Sequence, residues 1–305
     1  MSRVFDALQR SGAEQSGVEY PDMMSMVAEV FEAPTKTPGN DGLTAELTPP
    51  LPASVLLPAP IEAPQPNNAG LEGFPTLNVR VEAASRLVFF TEPDSLAAEK
   101  FRFLGVRLRQ IRHSRPLKKV LVTSTIPEEG KSLVSANLAG VLARRKEKVL
   151  LIEGDMRRPT LAGHFGLGRL AGLAEWLQSG LQTPSNIYHL EGPHFWLMPA
   201  GDPPANPLEL MQSGRLSHLM GLLANLFDWI VVDSPPLLPL ADTTVWSRFT
   251  EGTLLVAREG KTEKAPLKRG LESLKKSDLL GIVLNGCTIT DYKNYYQRYS
   301  SPETK

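Results

Sequence analysis

The sequence has almost no cysteine, no net charge and no long apolar run. Cys287 is the only cysteine among the 305 residues, so no disulfide can form within the chain, and we expect a reducing compartment such as the cytoplasm. Lys and Arg together number 33, as do Asp and Glu, so no overall charge favours nucleic acid or anionic lipid. No stretch approaches the roughly 20 apolar residues that span a bilayer, and the first residues lack the apolar core of a signal peptide. These absences predict a soluble chain that has no nucleic-acid partner and reaches a membrane only through a surface or another protein.

Proline is concentrated near the start of the chain. Eleven of the 26 prolines lie within residues 1–85, most densely over 49–66. Because proline fixes φ and removes a backbone donor, this stretch cannot build regular helix or sheet. We therefore predict a disordered, Pro-rich arm over residues 1–85, a folded domain over 86–287 and a flexible polar tail over 288–305.

In the predicted folded domain, two kinds of apolar segment alternate along the chain. Short continuous apolar runs predict buried strands, and longer runs with apolar residues three or four apart predict helices. The predicted strands cover 118–125, 148–154, 194–200, 228–235, 252–257 and 279–286. The predicted helices cover 95–112, 132–147, 172–180, 214–227 and 263–277. This alternation is typical of an α/β fold whose parallel sheet carries helices on both faces.

The segment Thr125–Ser132, TIPEEGKS, lies between a predicted strand and a predicted helix. That context is the one a phosphate-binding loop requires, because backbone N–H groups and the helix dipole at a helix start attract anions. Gly130 would let the backbone approach phosphates, Lys131 would meet their oxygens and Ser132 would ligate Mg²⁺. The usual pattern is G-x-x-x-x-G-K-[ST], and Thr125 replaces its first glycine, so the loop alone is weak support for a P-loop NTPase-type fold.

Acidic residues follow two other predicted strands. Glu153 and Asp155 end the strand at 148–154, and Asp233 ends the strand at 228–235. Ligands of open α/β sheets lie at the carboxyl ends of strands, where a carboxylate can hold Mg²⁺ or its water. With Lys131, these acids are the candidate catalytic residues, and ATP with Mg²⁺ is the predicted ligand.

Together, the loop and the two acidic strand ends resemble those of the bacterial tyrosine kinases, specifically the cytoplasmic autokinases of capsule and exopolysaccharide synthesis. The resemblance covers roughly residues 90–300. It implies that Lys131 and Ser132 hold phosphate and metal, that Asp155 handles metal and proton, that Asp233 holds the metal and that Asn285 lies near the adenine. The other predicted nucleotide-binding residues are Thr125, Glu129, Gly130 and Leu133.

Four of the six tyrosines lie in the polar tail, in the segment DYKNYYQRY. They are Tyr292, Tyr295, Tyr296 and Tyr299. The resemblance implies that these are autophosphorylation sites, modified between neighbouring subunits. Each phosphate adds about −1.5 to −2 charges, which gives a physical basis for an assembly switch.

Two departures from the family pattern concern the second strand and the first helix. Glu153 stands where the family usually has Asp, which shifts a carboxylate by one methylene. The family's first helix carries E-x-x-R-x-x-R for ring assembly. Here Glu99 and Arg102 fit, but Gly105 occupies the second arginine position, with Arg107 and Arg109 nearby as possible substitutes.

Two other functions share parts of the pattern. A ParA/MinD-type ATPase would have the same fold, although its early loop lysine is replaced here by Ile126 and it has no tyrosine tail. A nucleotide-sensing scaffold without catalysis would suit the departures at Glu153 and Gly105. For the kinase, the resemblance further implies a separate membrane partner, a chain-length determinant (polysaccharide co-polymerase), peripheral location at the inner membrane and self-association into a ring.

Overall fold

The computed structural model describes residues 70–238, 240–274 and 278–287, and eight strands of this part form one sheet. The strands are β1 (Thr76–Leu77), β2 (Lys119–Ser124), β3 (Val149–Glu153), β4 (Tyr188–Leu190), β5 (Phe195–Met198), β6 (Trp229–Asp233), β7 (Gly252–Arg258) and β8 (Leu279–Asn285). Their order across the sheet is β1-β4-β5-β3-β6-β2-β7-β8. The strands from β5 to β8 in this order run parallel, which confirms the predicted α/β class.

Helices cover both faces of the sheet. Within the described ranges they are α1 (Val88–Thr91), α2 (Leu96–Ser114), α3 (Lys131–Ala143), α4 (Leu161–His164), α5 (Leu173–Ser179), α6 (Pro207–Gln212), α7 (Arg215–Leu226), α8 (Asp242–Ser247) and α9 (Lys264–Ser273). Alternate residues of β2, β3 and β6 pack into two separate apolar cores, one with α3 and one with α5, α7 and α8. The central strands are continuous apolar runs because both of their faces are buried.

Two features of the sheet differ from the prediction. Strand β4 pairs with β5 in antiparallel orientation, and β1 pairs in parallel with β4, so the sheet is mixed rather than wholly parallel. Strand β1 lies within the residues assigned to the disordered arm, so the boundary at residue 86 is corrected to a position before Thr76. A two-residue strand has no periodicity to read, which is why the sequence did not reveal it. Residues 1–69 and the predicted tail 288–305 lie outside the described residues.

Helix α2 packs closely on α3 at Gly105. A Cβ atom built there would lie 2.5 Å from Val141 Cγ1, so no larger residue fits without movement. Arg109, a proposed substitute for the missing arginine, instead donates to the Glu147 carboxylate and to the Leu142 carbonyl. Arg107 remains exposed beside Gln110. Ring assembly through this helix stays a prediction, and Arg109 is committed to contacts within the chain.

None of the helices in the described ranges is both long enough and apolar enough to cross a bilayer.

Candidate active site

The carboxyl ends of β3, β6 and β2 meet side by side in the sheet. Glu153 on β3 is in register with Asp233 on β6, and Asp233 is in register with Val122 on β2. The loop that follows β2 leads directly into α3. Parallel pairing therefore brings together the loop and both acidic strand ends, as the sequence predicted.

The loop ends in a glycine that starts α3. Gly130 has φ +95°, in the left-handed region, and its carbonyl accepts the first bond of the helix, from the Val134 N–H at 3.0 Å. The N–H groups of residues 131–133 precede that bond and point out of the helix start. The positive φ at position 130 favours glycine, and a Cβ atom there would also displace the Asn285 amide. Such a helix start attracts an anion.

Lys131 faces the two acidic strand ends. Its Nζ lies 3.1 Å from Asp155 Oδ2, and the two side chains are only 12% and 8% exposed. Burial alone lowers the pKa of Lys131, but the Asp233 and Asp155 carboxylates outweigh it and raise the pKa. The lysine is therefore held as a cation at the helix start, where it can meet phosphate oxygens.

Asp233 lies beneath two hydroxyl groups of α3. It is 1% exposed, and its carboxylate accepts hydrogen bonds from Ser132 and, at 3.3 Å, from Ser135. Burial raises the pKa of Asp233, with the charge of Lys131 acting in the opposite direction. A buried carboxylate of this kind gains from a nearby dication.

The donor set fits Mg²⁺ held together with a substrate. Among the described residues, no three His, Cys, Asp or Glu side chains form a metal cluster. Mg²⁺ is usually bound by one or two carboxylates, waters and substrate phosphates rather than by a protein cage. Ser132, Asp155 and Asp233 provide hard oxygen ligands beside the helix start, so they could hold Mg²⁺ in this manner.

Glu129 braces the loop rather than pointing out of it. It is fully buried, and its carboxylate accepts from the Thr125 hydroxyl at 3.0 Å, the Ile126 N–H at 2.9 Å and the Thr262 hydroxyl. Its carbonyl accepts from Asn285 Nδ2 at 2.9 Å. Thr125, at the position of the usual first glycine, thus serves as a donor to this brace. The Glu129 and Thr125 side chains therefore shape the loop, and their predicted contact with the nucleotide stays a prediction.

Glu153, like Glu129, accepts hydrogen bonds from groups within the chain. Its Oε1 accepts from the backbone N–H groups of Thr160 and, at 2.6 Å, Leu161, and its Oε2 accepts from the Ala200 N–H at 3.1 Å. Burial raises the pKa of Glu153, and these backbone donors oppose the rise. Both oxygens are occupied, so the geometry does not support the predicted catalytic role. Glu153 instead fixes the start of α4 and the chain after β5.

Two other predicted residues are placed as follows. Leu133 packs its side chain against the core beneath α3, so only its backbone N–H is available to a phosphate. Asn285, at the end of β8, touches the loop at Gly130, on the same side as the helix start. The four tail tyrosines lie outside the described residues.

Sequence reasoning missed a clamp on the loop after β3. Arg157 donates through two nitrogens to the buried Asp242 carboxylate, at 2.7 and 3.1 Å. The Thr160 hydroxyl lies 3.2 Å from Ser132 Oγ. The Arg157 pair spans 85 residues of sequence, so no local pattern indicated it. It holds the segment that carries Asp155 against α8.

Comparisons with known proteins agree with this arrangement. No protein-family model matches the chain. The tyrosine-protein kinase YwqD of Bacillus subtilis (strain 168) is 34% identical over 211 residues, which cover 68% of the chain and 89% of YwqD. The tyrosine-protein kinase CpsD of Streptococcus agalactiae is 30% identical over 197 residues, 62% of the chain and 86% of CpsD.

Solved structures give the same result. The chimerical protein CapA2B2 aligns with a TM-score of 0.64 and 29% identity, over 71% of the chain and 96% of that protein. The kinase domain of the Escherichia coli tyrosine kinase ETK aligns with a TM-score of 0.62 and 26% identity, over 73% of the chain and 87% of that domain. On its sequence, its fold and the placement of its loop and acidic strand ends, the chain belongs to the family of bacterial tyrosine kinases.

Proposed function

We propose that this protein is an ATP- and Mg²⁺-dependent protein-tyrosine autokinase that phosphorylates its own tail. The observation that carries the proposal is the placement of Lys131 at the start of α3, 3.1 Å from Asp155 and close to buried Asp233. A cation and free backbone N–H groups on one side, with carboxylates on the other, suit a phosphoryl group and its metal.

The residues divide the work as follows. The N–H groups at the start of α3 and the Lys131 ammonium bind the β and γ phosphates. Ser132 and Asp233 would hold Mg²⁺, which would supply positive charge to neutralise the phosphate oxygens. When Lys131 exchanges its partner Asp155 for a phosphate, that carboxylate is released to accept the proton of a tyrosine hydroxyl. A phenol has a pKa of about 10, so it needs such a base to attack at neutral pH.

The acceptor is the tail cluster Tyr292, Tyr295, Tyr296 and Tyr299. Relatives named tyrosine-protein kinases support this choice, as does the presence of four tyrosines in a tail of 18 residues. By family resemblance, the activity would regulate exopolysaccharide or capsule chain length and export. The protein would act in the cytoplasm, beside the inner membrane, through a separate chain-length determinant and through self-association.

Incubation with [γ-³²P]ATP and Mg²⁺ separates this function from the two alternatives. If the protein is a kinase, ³²P is incorporated into the tail. Lys131→Met should lower this incorporation by at least about 100-fold, and replacement of the four tyrosines by phenylalanine should abolish it. A ParA/MinD-type ATPase would release free phosphate without tail label. A scaffold would bind nucleotide and do neither.

Lys268→Met on α9 is a matched control for Lys131→Met. Lys268 is exposed, and no hydrogen bond or ion pair among the described residues joins it to the loop, so the same substitution should leave label incorporation unchanged. Equal loss in both variants would contradict the assignment of Lys131 to the site.

A further inference from the structure

A second cleft, of about 750 Å³, opens at the amino edge of the sheet, opposite the kinase site. Its walls are the turn 144–148 between α3 and β3, the turn 192–194 before β5 and the segment 79–81 after β1. Helix α3 has 13 residues, so its two ends, one at the kinase site and one at this cleft, lie about 20 Å apart. The cleft is therefore a separate site.

The inside of the cleft is apolar and aromatic. Phe89, Phe90 and Trp196 line it together with valines 79 and 81 and two prolines. Its size and its mainly apolar lining are those of a typical ligand site. A flat aromatic ring would find stacking and edge contacts here.

Cations surround this aromatic interior. The basic residues that line the cleft are Arg144, Lys146, Lys148 and His194. The Arg144 guanidinium lies 4.9 Å from the centre of the Phe89 ring, so a cation–π contact holds it at the wall. Arg144, Lys146 and Lys148 are exposed and form no ion pair with another described residue.

The one acid that lines the cleft is already neutralised. Glu147 forms ion pairs with Arg109 at 2.6 Å and with Arg112 at 3.6 Å, and it also accepts from Trp229 Nε1. Among the residues that line the cleft, positive charge is therefore in excess, around an interior that favours a ring.

We propose that this cleft binds a phosphotyrosine segment, namely the phosphorylated tail of a second copy of the chain. The ring of phosphotyrosine fits the aromatic interior, and its phosphate, with about −1.5 to −2 charges, meets the cations at the rim. A concave aromatic site suits a peptide side chain better than a flat anionic membrane. This inference rests on the proposed function, since the kinase would supply the ligand.

For Tyr292 and Tyr295, the first two tail tyrosines, a second copy is required because they cannot reach the cleft of their own chain. The described chain ends at Cys287, after the edge strand β8, and five strand spacings of about 4.8 Å separate β8 from β5. The cleft also lies at the other end of the strands, so the direct distance exceeds about 30 Å. Tyr292 and Tyr295 follow Cys287 by five and eight residues, which span at most about 18 and 28 Å. Phosphorylation would thus convert a substrate of one site into a ligand of the other, on a neighbouring subunit.

Fluorescence anisotropy with a labelled synthetic peptide of residues 288–305 tests this directly on the full-length, phosphatase-treated protein in EDTA. We expect the peptide phosphorylated on Tyr295 to bind at least about tenfold more tightly than the unmodified peptide and than one phosphorylated on Ser300. In a parallel titration without EDTA, saturating ADP with Mg²⁺ should not displace the phosphopeptide. Displacement by nucleotide, or equal binding of the three peptides, would overturn the proposal.

Charge-reversal variants test whether the phosphopeptide binds in the cleft. Lys146→Glu/Lys148→Glu should weaken phosphopeptide binding by at least about tenfold. Lys268→Glu/Arg269→Glu on α9 changes the net charge equally and should leave it within about twofold. If both double variants weaken binding equally, the effect is one of overall charge and the cleft is not the site.

Vesicles of phosphatidylglycerol separate a lipid surface from the peptide site. Loss of vesicle binding in the Lys146/Lys148 variant, without any preference for phosphotyrosine, would show a lipid surface and overturn the proposal. Because the peptide is synthetic, the binding result does not depend on the kinase assay. A failed proposed function would appear as an unlabelled tail, whatever the peptide does.

Discussion

The two edges of the sheet differ in how far their charged residues are paired. At the carboxyl edge, buried charges are committed to partners: Lys131 to Asp155, Asp233 to hydroxyl groups of α3, and Glu153 to backbone N–H groups. At the amino edge, Lys146 and Lys148 are exposed and have no ion pair with another described residue. The difference indicates one edge built for chemistry in a fixed geometry and another built to receive an anionic partner.

The largest expected effect is the difference in tail phosphorylation between variants at the two ends of β6. Asp233→Asn at the carboxyl end should lower the initial rate of tail phosphorylation by about 10²–10³-fold, because a charge that stabilises the metal is lost. Asp228, just before the amino end, accepts from the Lys148 N–H at 2.8 Å. Asp228→Asn keeps an acceptor oxygen and should change the rate by less than about threefold. Similar losses in both variants would mean that the two edges do not differ in function.

Glu153 distinguishes structural from catalytic carboxylates at the same edge. Glu153→Ala should lower the free energy of unfolding by about 3 kcal/mol, measured in urea, because buried N–H groups lose their acceptors. Glu153→Gln keeps one acceptor oxygen and should lose roughly half as much stability, with tail phosphorylation within about tenfold of wild type.

Asp155→Asn provides the comparison for Glu153→Gln. We expect it to lower phosphorylation by at least about 100-fold while the urea midpoint changes little. A loss as large in Glu153→Gln, without destabilisation, would restore Glu153 to the catalytic residues.

The smallest expected effect concerns two residues with left-handed backbone. Lys146, in the turn after α3, has φ +61°, and Glu128, in the loop, has φ +64°. Lys146→Gly should stabilise the fold by about 0.5–1 kcal/mol, because glycine adopts this conformation without strain. Glu128→Gly should gain less, because the Glu128 carboxylate also pairs with Lys261 at 2.5 Å. A larger urea midpoint increase for Glu128→Gly would show that this loop contact contributes nothing.

The sequence predicted the central strands and the main helices because their apolar patterns are local. It predicted neither β1 nor the antiparallel β4, because each has at most three residues and depends on pairing with distant segments. Short strands of this kind carry no period that a sequence pattern could reveal.

For the site, the sequence predicted that Lys131 at a helix start lies beside Asp155 and Asp233 at strand ends, and the structure places these three residues together. The contacts of Glu129 and Glu153 were not predictable, because a carboxylate in a loop or at a strand end can point into the site or back to the chain. The direction of such a side chain depends on backbone N–H groups elsewhere in the sequence. For Glu153, these belong to Leu161 and Ala200.

Phosphorylation between two complementary variants tests the central claim most directly. One chain carries an intact loop and phenylalanine at all four tail positions, and the other carries Lys131→Met with an intact tail. We predict that the mixture with ATP and Mg²⁺ places phosphate on tail tyrosines of the Lys131→Met chain, identified by mass spectrometry, while neither chain alone is labelled. An unmodified tail in the mixture, and in the wild-type protein under conditions where ATP binds, would contradict the assignment of a tyrosine autokinase.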